Sequence, residues 1–196
     1  MSRTANITRT TKETDINMTL NLDGEGVSNI HTGIGFFDHM LEGFAKHGFF
    51  NLDVTINGDL EVDGHHTVED AGIVLGTAIK EAVGDKKGIK RYGYFILPMD
   101  DALALCAVDL CGRPYLQFDC IFPNDMVGGF DTSLVREFFY AVSYSAGMNI
   151  HIKMLSGENS HHMIEAIFKA FAKALDEAVA FDPRIKDVLS TKGALA

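Results

Sequence analysis

The chain is poor in cysteine and has no long hydrophobic run. Its three cysteines, Cys106, Cys111 and Cys120, are an odd number without CxxC spacing. This argues against disulfides or a thiolate metal site, and we predict reduced thiols within strands. No segment approaches the roughly 20 apolar residues of a membrane span, and the polar residues 2–12 lack the apolar core of a signal peptide. These absences predict a cytoplasmic protein without a membrane partner.

Basic residues are also scarce. The 17 Lys and Arg residues are outnumbered by 27 Asp and Glu residues, which gives a formal net charge of −10. Such a charge repels phosphate at long range, so the sequence argues against nucleic acid as a partner. A small-molecule phosphate substrate would have to be held by a few locally placed cations rather than by a basic surface.

The chain is rich in apolar residues and contains an internal repeat. Its 196 residues are 46% hydrophobic, enough for the core of one domain or of two fused halves. Residues 65–69 read HHTVE, and residues 161–165 read HHMIE. Without a gap, residues 65–83 match residues 161–179 at seven of nineteen positions. This similarity indicates an internal duplication.

Hydrophobic periodicity predicts the elements of each half. In the first half it predicts a strand pair over 3–22, a helix over 34–46, a strand over 52–56 and a helix from His65. In the second half it predicts strands at about 94–97, 102–109 and 114–121, a helix over 133–146, a strand over 148–155 and a helix over 161–180. Ser160 is the expected N-cap of that last helix.

Together these elements predict an α+β fold built from two duplicated β-β-α-β-α halves. Each half would be a small sheet with helices packed on one face, the first over residues 1–92 and the second over 93–196, in one compact unit. The tail after Pro183 has little periodicity. Its composition favours a disordered end over a flap that covers a site.

The doubled motif has the spacing of metal ligands. On a helix, positions i and i+4 share a face while i+1 lies about 100° away, so His65 and Glu69 face one way and His66 another. His161, Glu165 and His162 repeat this geometry. A lone His on a helix is more often a surface residue, but the duplication reverses that expectation. Mixed imidazole and carboxylate donors suit octahedral Mn²⁺ or Fe²⁺, or Zn²⁺, rather than Ca²⁺.

The repeat also pairs two residues upstream of the motifs. His39 precedes the first motif and Glu137 precedes the second, each on the preceding predicted helix of its half. They are candidate equivalents, and we predict that each adds a further donor to one metal ion. Taken alone, Glu137 would be a solvated helix residue.

Several motifs in order resemble one family. They are GIGFFDHML at 33–41, HHTVED at 65–70, PMDDAL at 98–103, GRPY at 112–115 and HHMIEA at 161–166. Over about residues 9–192 the chain closely resembles imidazoleglycerol-phosphate dehydratase. The resemblance implies a hydro-lyase that converts D-erythro-imidazole glycerol phosphate to imidazole acetol phosphate in histidine biosynthesis, through a dimanganese-bound imidazolate.

The same resemblance implies the fold of ribosomal protein S5 domain 2. It also implies two Mn²⁺ ions per active site. The assembly it implies is a large symmetric homo-oligomer of 24 subunits, with active sites at the subunit interfaces.

Matched residue by residue, the resemblance also implies site roles. The implied metal ligands are His39, His65, His66, Glu69, Glu137, His161, His162 and Glu165. The implied substrate contacts are Glu13, His47, Arg91, Arg113, Lys169, Ser190, Thr191 and Lys192. Glu13 is the implied catalytic base, because a carboxylate can remove a proton that has been acidified by loss of the hydroxyl. Position 137 is His in some family members and Glu in others.

Two other functions would use the same ligands. One is a dinuclear metal hydrolase acting on a phosphate ester, whose metals would lie about 3.5–4 Å apart. The other is a metal-storing or purely structural assembly, which needs no phosphate clamp. Arg91, Arg113 and Lys192 argue against storage, whereas the metal–metal distance would separate lyase from hydrolase.

Overall fold

The computed structural model describes residues 3–195, which form two four-stranded sheets, a small hairpin and four helices. The elements of the first half are β1 (Thr4–Thr10), β2 (Thr14–Asn21), β3 (Ser28–His31), α1 (Gly35–Gly48), β4 (Asn51–Gly58) and α2 (His65–Val83). Those of the second half are β5 (Tyr92–Met99), β6 (Ala102–Asp109), β7 (Tyr115–Asp119), β8 (Met126–Val127), β9 (Phe130–Asp131), α3 (Leu134–Ala146), β10 (Asn149–Ser156) and α4 (Ser160–Val179).

The two large sheets have the same topology. Their strand orders are β1-β2-β4-β3 and β5-β6-β10-β7, and in each the last pair is parallel while the others are antiparallel. This arrangement confirms the predicted α+β class and agrees with duplicated halves. The predicted order β-β-α-β-α holds for the elements that it names; the structure adds β3 in the first half and the short β8 and β9 in the second, where the strand at β7 had been predicted. The strand β3 has only four residues, too few for a clear alternation.

The helices pack in pairs that cross from one half to the other. α1 packs on α4 and α2 packs on α3. The ring of Phe44 on α1 stacks on that of Phe171 on α4, with centroids 5.6 Å apart. On α2, a Cβ at Gly72 would lie only 2.7 Å from the carbonyl oxygen of Phe138, so this glycine allows α3 to approach closely. The two halves therefore share one core, and the boundary at residue 92 stays a prediction.

The N-cap of α4 is not the predicted residue. The cap matters because the second His-His motif lies in the first turn of this helix. The N-cap is Asn159, whose side chain accepts a hydrogen bond of 2.9 Å from the backbone N–H of His161. Ser160, the predicted cap, is instead the first helical residue and is buried, and its hydroxyl accepts a hydrogen bond from the backbone N–H of Asn124. Asn159 thus fixes the first turn, which carries His161 and His162.

The cysteines are free, as predicted, but only Cys106 lies within a strand. Cys111 follows β6 and Cys120 follows β7. Burial raises the pKa of the Cys106 thiol far above its usual range and that of Cys120 to about 12, so these two thiols are poor nucleophiles. Among the described residues, no helix has the length and apolar character needed to cross a membrane.

Candidate metal centre

Three potential ligands from both halves meet at one point. His39 on α1 and His161 and Glu165 on α4 offer ligand atoms that all lie within 4.8 Å of one another. The Oε2 atom of Glu165 is 3.4 Å from Nε2 of His161 and 3.8 Å from Nε2 of His39. Donor atoms bound to one octahedral cation at about 2.1 Å lie roughly 3–4 Å apart. The three side chains therefore fit a single divalent cation.

The cluster depends on the crossed packing of the helices. His39 lies on the first-half helix α1 but joins the motif of the second half, because α1 packs on α4. His161 and Glu165 are one helical turn apart and share a face, as the i, i+4 spacing predicts. Neither half alone could form this group of ligands.

Electrostatics keep Glu165 ionised. Burial by itself would raise its pKa, but a hydrogen bond from Lys169 and the nearby charges of Lys169, His39 and His161 lower the pKa below its usual value. Nζ of Lys169 is 2.7 Å from Oε1 of Glu165, which leaves Oε2 directed at the two histidines. Burial, and then the charge of Lys169, lower the pKa of His47. Lys169, a predicted substrate contact, therefore lies next to the cluster, and His47, another predicted substrate contact, is on the same helix as His39.

The first motif forms a matching pair on α2. Nε2 of His65 is 3.9 Å from Oε2 of Glu69, so these two residues share a face as predicted. The structure does not bring Glu137 to them. Its carboxylate pairs with Arg136 at 3.2 Å, and it joins no cluster of three potential ligands within residues 3–195. Glu137 does lie on α3, which packs on α2 as α1 packs on α4.

The second histidine of each motif points away and is held by an aspartate. Nδ1 of His66 is 2.9 Å from Oδ2 of Asp59, and Nδ1 of His162 is 2.6 Å from Oδ1 of Asp101. These hydrogen bonds are the main reason that the pKa of each histidine is raised. With Nδ1 occupied in this way, Nε2 is the nitrogen left for a metal ion.

Asp101 is itself firmly anchored. It accepts hydrogen bonds from the backbone N–H groups of Glu158 and Asn159, at 2.6 and 3.0 Å. These bonds, with the one to His162, hold the pKa of Asp101 well below its usual range. The turn between β5 and β6 is thereby fastened to the start of α4.

Glu13 lies at the turn between β1 and β2. Its Oε1 atom is 3.8 Å from Nε2 of His66, and its side chain is 53% exposed. The next residue, Thr14, hydrogen-bonds the buried Asp70 of α2, which is also ion-paired with Arg9. The turn that carries Glu13 is thus attached to the helix of the first motif.

Five of the predicted substrate contacts line one open cavity of about 690 Å³. They are Arg91, Arg113, Ser190, Thr191 and Lys192. Arg91 forms a bidentate pair with Asp109, at 2.7 and 3.0 Å, and donates a further hydrogen bond of 2.7 Å to the carbonyl oxygen of Leu189. The start of the tail therefore lies against Arg91. A tail that covers the substrate stays a prediction.

Comparison with known proteins decides between the functions considered above. A sequence model of imidazoleglycerol-phosphate dehydratase matches residues 32–175. The enzyme of that name from Lachnoclostridium phytofermentans is 64% identical over 98% of both chains, and that from Acetivibrio thermocellus is 58% identical over the whole of both. The chain belongs to the imidazoleglycerol-phosphate dehydratase family. It is therefore an enzyme of the hydro-lyase class, which confirms the resemblance drawn from the motifs.

Solved dehydratase structures have the same fold. The enzyme from Staphylococcus aureus superposes with a TM-score of 0.83 at 42% identity, covering 91% of this chain and 99% of that one. The enzyme from Pyrococcus furiosus, solved in complex with (S)-C348, also gives a TM-score of 0.83, at 40% identity, covering 96% of this chain and all of that one. The two-sheet architecture is thus that of the dehydratase family.

Two residues that contact predicted ligands were missed in the sequence. Asp59 and Asp101 hold the second histidine of each motif, yet neither was predicted as a site residue, although Asp101 lies within the PMDDAL motif. A histidine that binds metal commonly donates its other ring N–H to a carboxylate. That rule predicts one acidic partner for the second histidine of each motif. The sequence does not show which acidic residue lies near that histidine in the fold.

We expect Asp101→Ala to weaken metal binding, because Asp101 orients His162, which is a predicted ligand. Loss of such a carboxylate partner typically lowers metal affinity about 10- to 100-fold. Mn²⁺ titration followed by electron paramagnetic resonance measures the change. Asp176→Ala, at a half-buried position of α4 where the carboxylate pairs with Lys173, is the control with the same change of charge. Equal Mn²⁺ affinity in both variants would contradict the role of Asp101.

Proposed function

We propose that the chain removes water from imidazole glycerol phosphate to give imidazole acetol phosphate, in histidine biosynthesis, with two Mn²⁺ ions in each active site. Family membership supports the substrate and the reaction. The observation that carries the metal assignment is the convergence of His39, His161 and Glu165. A cytoplasmic location stays a prediction.

The ligands divide into two sets, one for each ion. His39, His161 and Glu165 would hold the first ion, and their distances support this set. His65, Glu69 and Glu137 would hold the second. The crossed packing supports this set too, since α3 lies on α2 as α1 lies on α4. Glu137 would then have to leave Arg136.

His66 and His162 would bind metal ions of neighbouring subunits. Each lies about 100° around its helix from the histidine before it, and each has its Nδ1 atom held by an aspartate. One helix cannot direct both its histidines at a single ion. The active sites would therefore lie at interfaces of a symmetric homo-oligomer, for which the family resemblance implies 24 subunits.

Bound Mn²⁺ ions would act as Lewis acids on the imidazole ring of the substrate and so favour loss of the hydroxyl group. The chain itself must supply the base. Glu13 is our candidate, because it lies beside His66 and its carboxylate is half exposed, so a substrate can reach it. It would remove the side-chain proton, and the resulting enol would tautomerise to the ketone.

The phosphate would be held by the cations around the cavity under the tail. Arg113 and Lys192 line this cavity with Arg91, whose guanidinium is oriented by Asp109. Ser190 and Thr191 would add hydroxyl donors. Such charge-assisted hydrogen bonds supply the local positive charge that a chain of net charge −10 requires. His47 and Lys169 would contact the substrate nearer the metal cluster.

The reaction is tested by supplying purified protein with Mn²⁺ and imidazole glycerol phosphate. We expect the ketone to accumulate, detected by mass spectrometry as a loss of one water molecule, with no release of inorganic phosphate. Phosphate release without the ketone would favour the hydrolase and overturn the proposal. The distance between the two ions in a metal-bound structure is a second test, because a hydrolase would hold them about 3.5–4 Å apart.

Arg113→Ala should weaken substrate binding and leave the metal content unchanged. Losing one charge-assisted hydrogen bond costs roughly 1.5–3 kcal/mol, or about ten- to a hundredfold in affinity. The Michaelis constant and the bound Mn²⁺ per chain are the measurements. Arg113→Lys should restore binding only in part, because lysine lacks the planar fork of arginine.

The matched control is Lys87→Ala, which removes the same charge from an exposed loop. A Michaelis constant that is the same for Arg113→Ala and the control would remove Arg113 from the phosphate site.

A further inference from the structure

A chain of hydrogen bonds runs from α2 to the backbone of Glu13. Oδ2 of Asp70 accepts a hydrogen bond from the hydroxyl of Thr14. Oγ1 of Thr14 is 3.3 Å from Oγ1 of Thr11, which in turn accepts a hydrogen bond of 3.1 Å from the backbone N–H of Glu13. Because the single hydroxyl proton of Thr14 is directed at Asp70, Thr11 is the donor in the middle link. The chain therefore connects the helix of the first motif to the turn that carries Glu13.

The carboxylate at the start of this chain is buried. Asp70 is 6% exposed and Thr14 3%, and Oδ2 of Asp70 is also ion-paired with Arg9 on β1. A buried carboxylate costs stability unless it is paired and hydrogen-bonded, and an apolar residue that packs well in its place is often at least as stabilising as the ion pair. Stability alone therefore does not explain why a carboxylate occupies this position.

The second half folds without a carboxylate at this position. In the alignment of the two motif helices Asp70 corresponds to Ala166, which is fully buried in the core. There the β5–β6 turn is fastened to the start of α4 by Asp101, which lies in the turn itself. An alanine at this helical position is therefore compatible with the fold. The half that has the buried carboxylate is the half that carries Glu13.

The backbone of the turn has to set the position of the Glu13 side chain. That side chain is 53% exposed, so packing around it contributes little. On the other side of the turn, the carbonyl oxygen of Glu13 accepts a hydrogen bond of 3.0 Å from the backbone N–H of Asp59, the residue that holds Nδ1 of His66. The turn is thus fixed on both sides, with Oε1 of Glu13 3.8 Å from Nε2 of His66.

We propose that Asp70 is a positioning residue for Glu13. Through Thr14 and Thr11 it fixes the turn, so that the carboxylate of Glu13 is held beside His66 and within reach of the substrate. Catalysis is sensitive to such positioning, because a displacement of about 1 Å can cost roughly 10²-fold in rate. This inference rests on the proposed function, in which Glu13 is the base.

The first test gives α2 the residue that the second motif has. In Asp70→Ala we expect the turnover number to fall about 10- to 100-fold, with the Michaelis constant and the bound Mn²⁺ per chain nearly unchanged. Amide hydrogen exchange of residues 11–14, measured without metal, should become faster in the same variant. Loss of Mn²⁺ would show that Asp70 acts on the neighbouring Glu69 instead, and unchanged exchange would show that the turn does not depend on Asp70. Either result would overturn the inference.

A second variant breaks the chain at an exposed residue, so the subunit should fold. Thr11→Val removes the hydroxyl that accepts the hydrogen bond from Glu13. Its control, Thr10→Val, removes a neighbouring exposed hydroxyl, which donates a hydrogen bond of 2.7 Å to Asp15 across the strand pair. We expect turnover to fall about 10- to 100-fold in Thr11→Val alone, and Thr11→Ser to restore it. Parental turnover in a folded Thr11→Val variant would contradict the role of the hydrogen-bond chain.

Repeating the substitution in the Glu13→Gln background separates positioning from a merely structural role. If Thr11 acts through the base, Thr11→Val should cause no further loss of turnover once the base is gone, so the two effects are not additive. An equal loss in both backgrounds would contradict positioning while leaving Glu13 as the base. Near-normal turnover in Glu13→Gln alone would contradict both the base of the proposed function and this inference.

Discussion

Glu13→Gln should lower the turnover number by about 10²–10⁴-fold, the usual contribution of a general base. Glutamine keeps the size and hydrogen-bonding capacity of the side chain but cannot take up a proton. Because Glu13 lies at an exposed turn and outside the cluster of His39, His161 and Glu165, we expect stability and metal content to be unchanged. Steady-state kinetics and bound Mn²⁺ per chain are the measurements.

The control for this variant is Glu81→Gln, an exposed carboxylate near the far end of α2. It makes the same chemical change away from the site and should retain parental turnover. Near-normal turnover in Glu13→Gln would exclude Glu13 as the base and direct attention to His47. Loss of metal from that variant would mean that Glu13 is a ligand rather than a base.

Removal of metal should abolish dehydration and reduce the size of the particle together. The first effect follows from the Lewis-acid role assigned to the ions. The second follows from His66 and His162, which face away from the ligands on their own helices and are assigned to ions of neighbouring subunits. Activity and particle mass are measured after treatment with a chelator, and again after Mn²⁺ is restored.

We expect both properties to return with the metal. A chelated protein that has lost all Mn²⁺ but keeps its full mass would contradict the sharing of sites between subunits. Activity that survives complete removal of metal would contradict the metal-dependent reaction itself.

Local patterns in the sequence predicted most of the helices and strands. They also predicted which two residues of each motif share one face of their helix. The i, i+4 spacing correctly placed His65 with Glu69 and His161 with Glu165, because helix geometry is local. It could not place His39 with the second motif, since packing of α1 on α4 depends on side chains more than a hundred residues apart. Periodicity also needs length, and β3 has only four residues.

The acidic partners of the histidines were beyond the reach of sequence patterns for a similar reason. Asp101 meets His162 only because the β5–β6 turn lies over the start of α4, where Glu158 and Asn159 donate hydrogen bonds to it. Ser160 was a plausible cap by residue type, but its hydroxyl is used by Asn124, and Asn159 caps the helix instead. In both cases tertiary contacts decide between residues that look equally suitable.

The crossed pairing of helices also sets the order in which the chain can complete its fold during synthesis. α1 leaves the ribosome early, but its partner α4 ends at Val179, so Phe44 has no Phe171 to stack on until nearly the whole chain has been made. Contacts between such distant segments slow folding. The nascent first half therefore exposes aromatic surface that favours aggregation and the binding of chaperones. The cluster of His39, His161 and Glu165 forms only after the last helix is released.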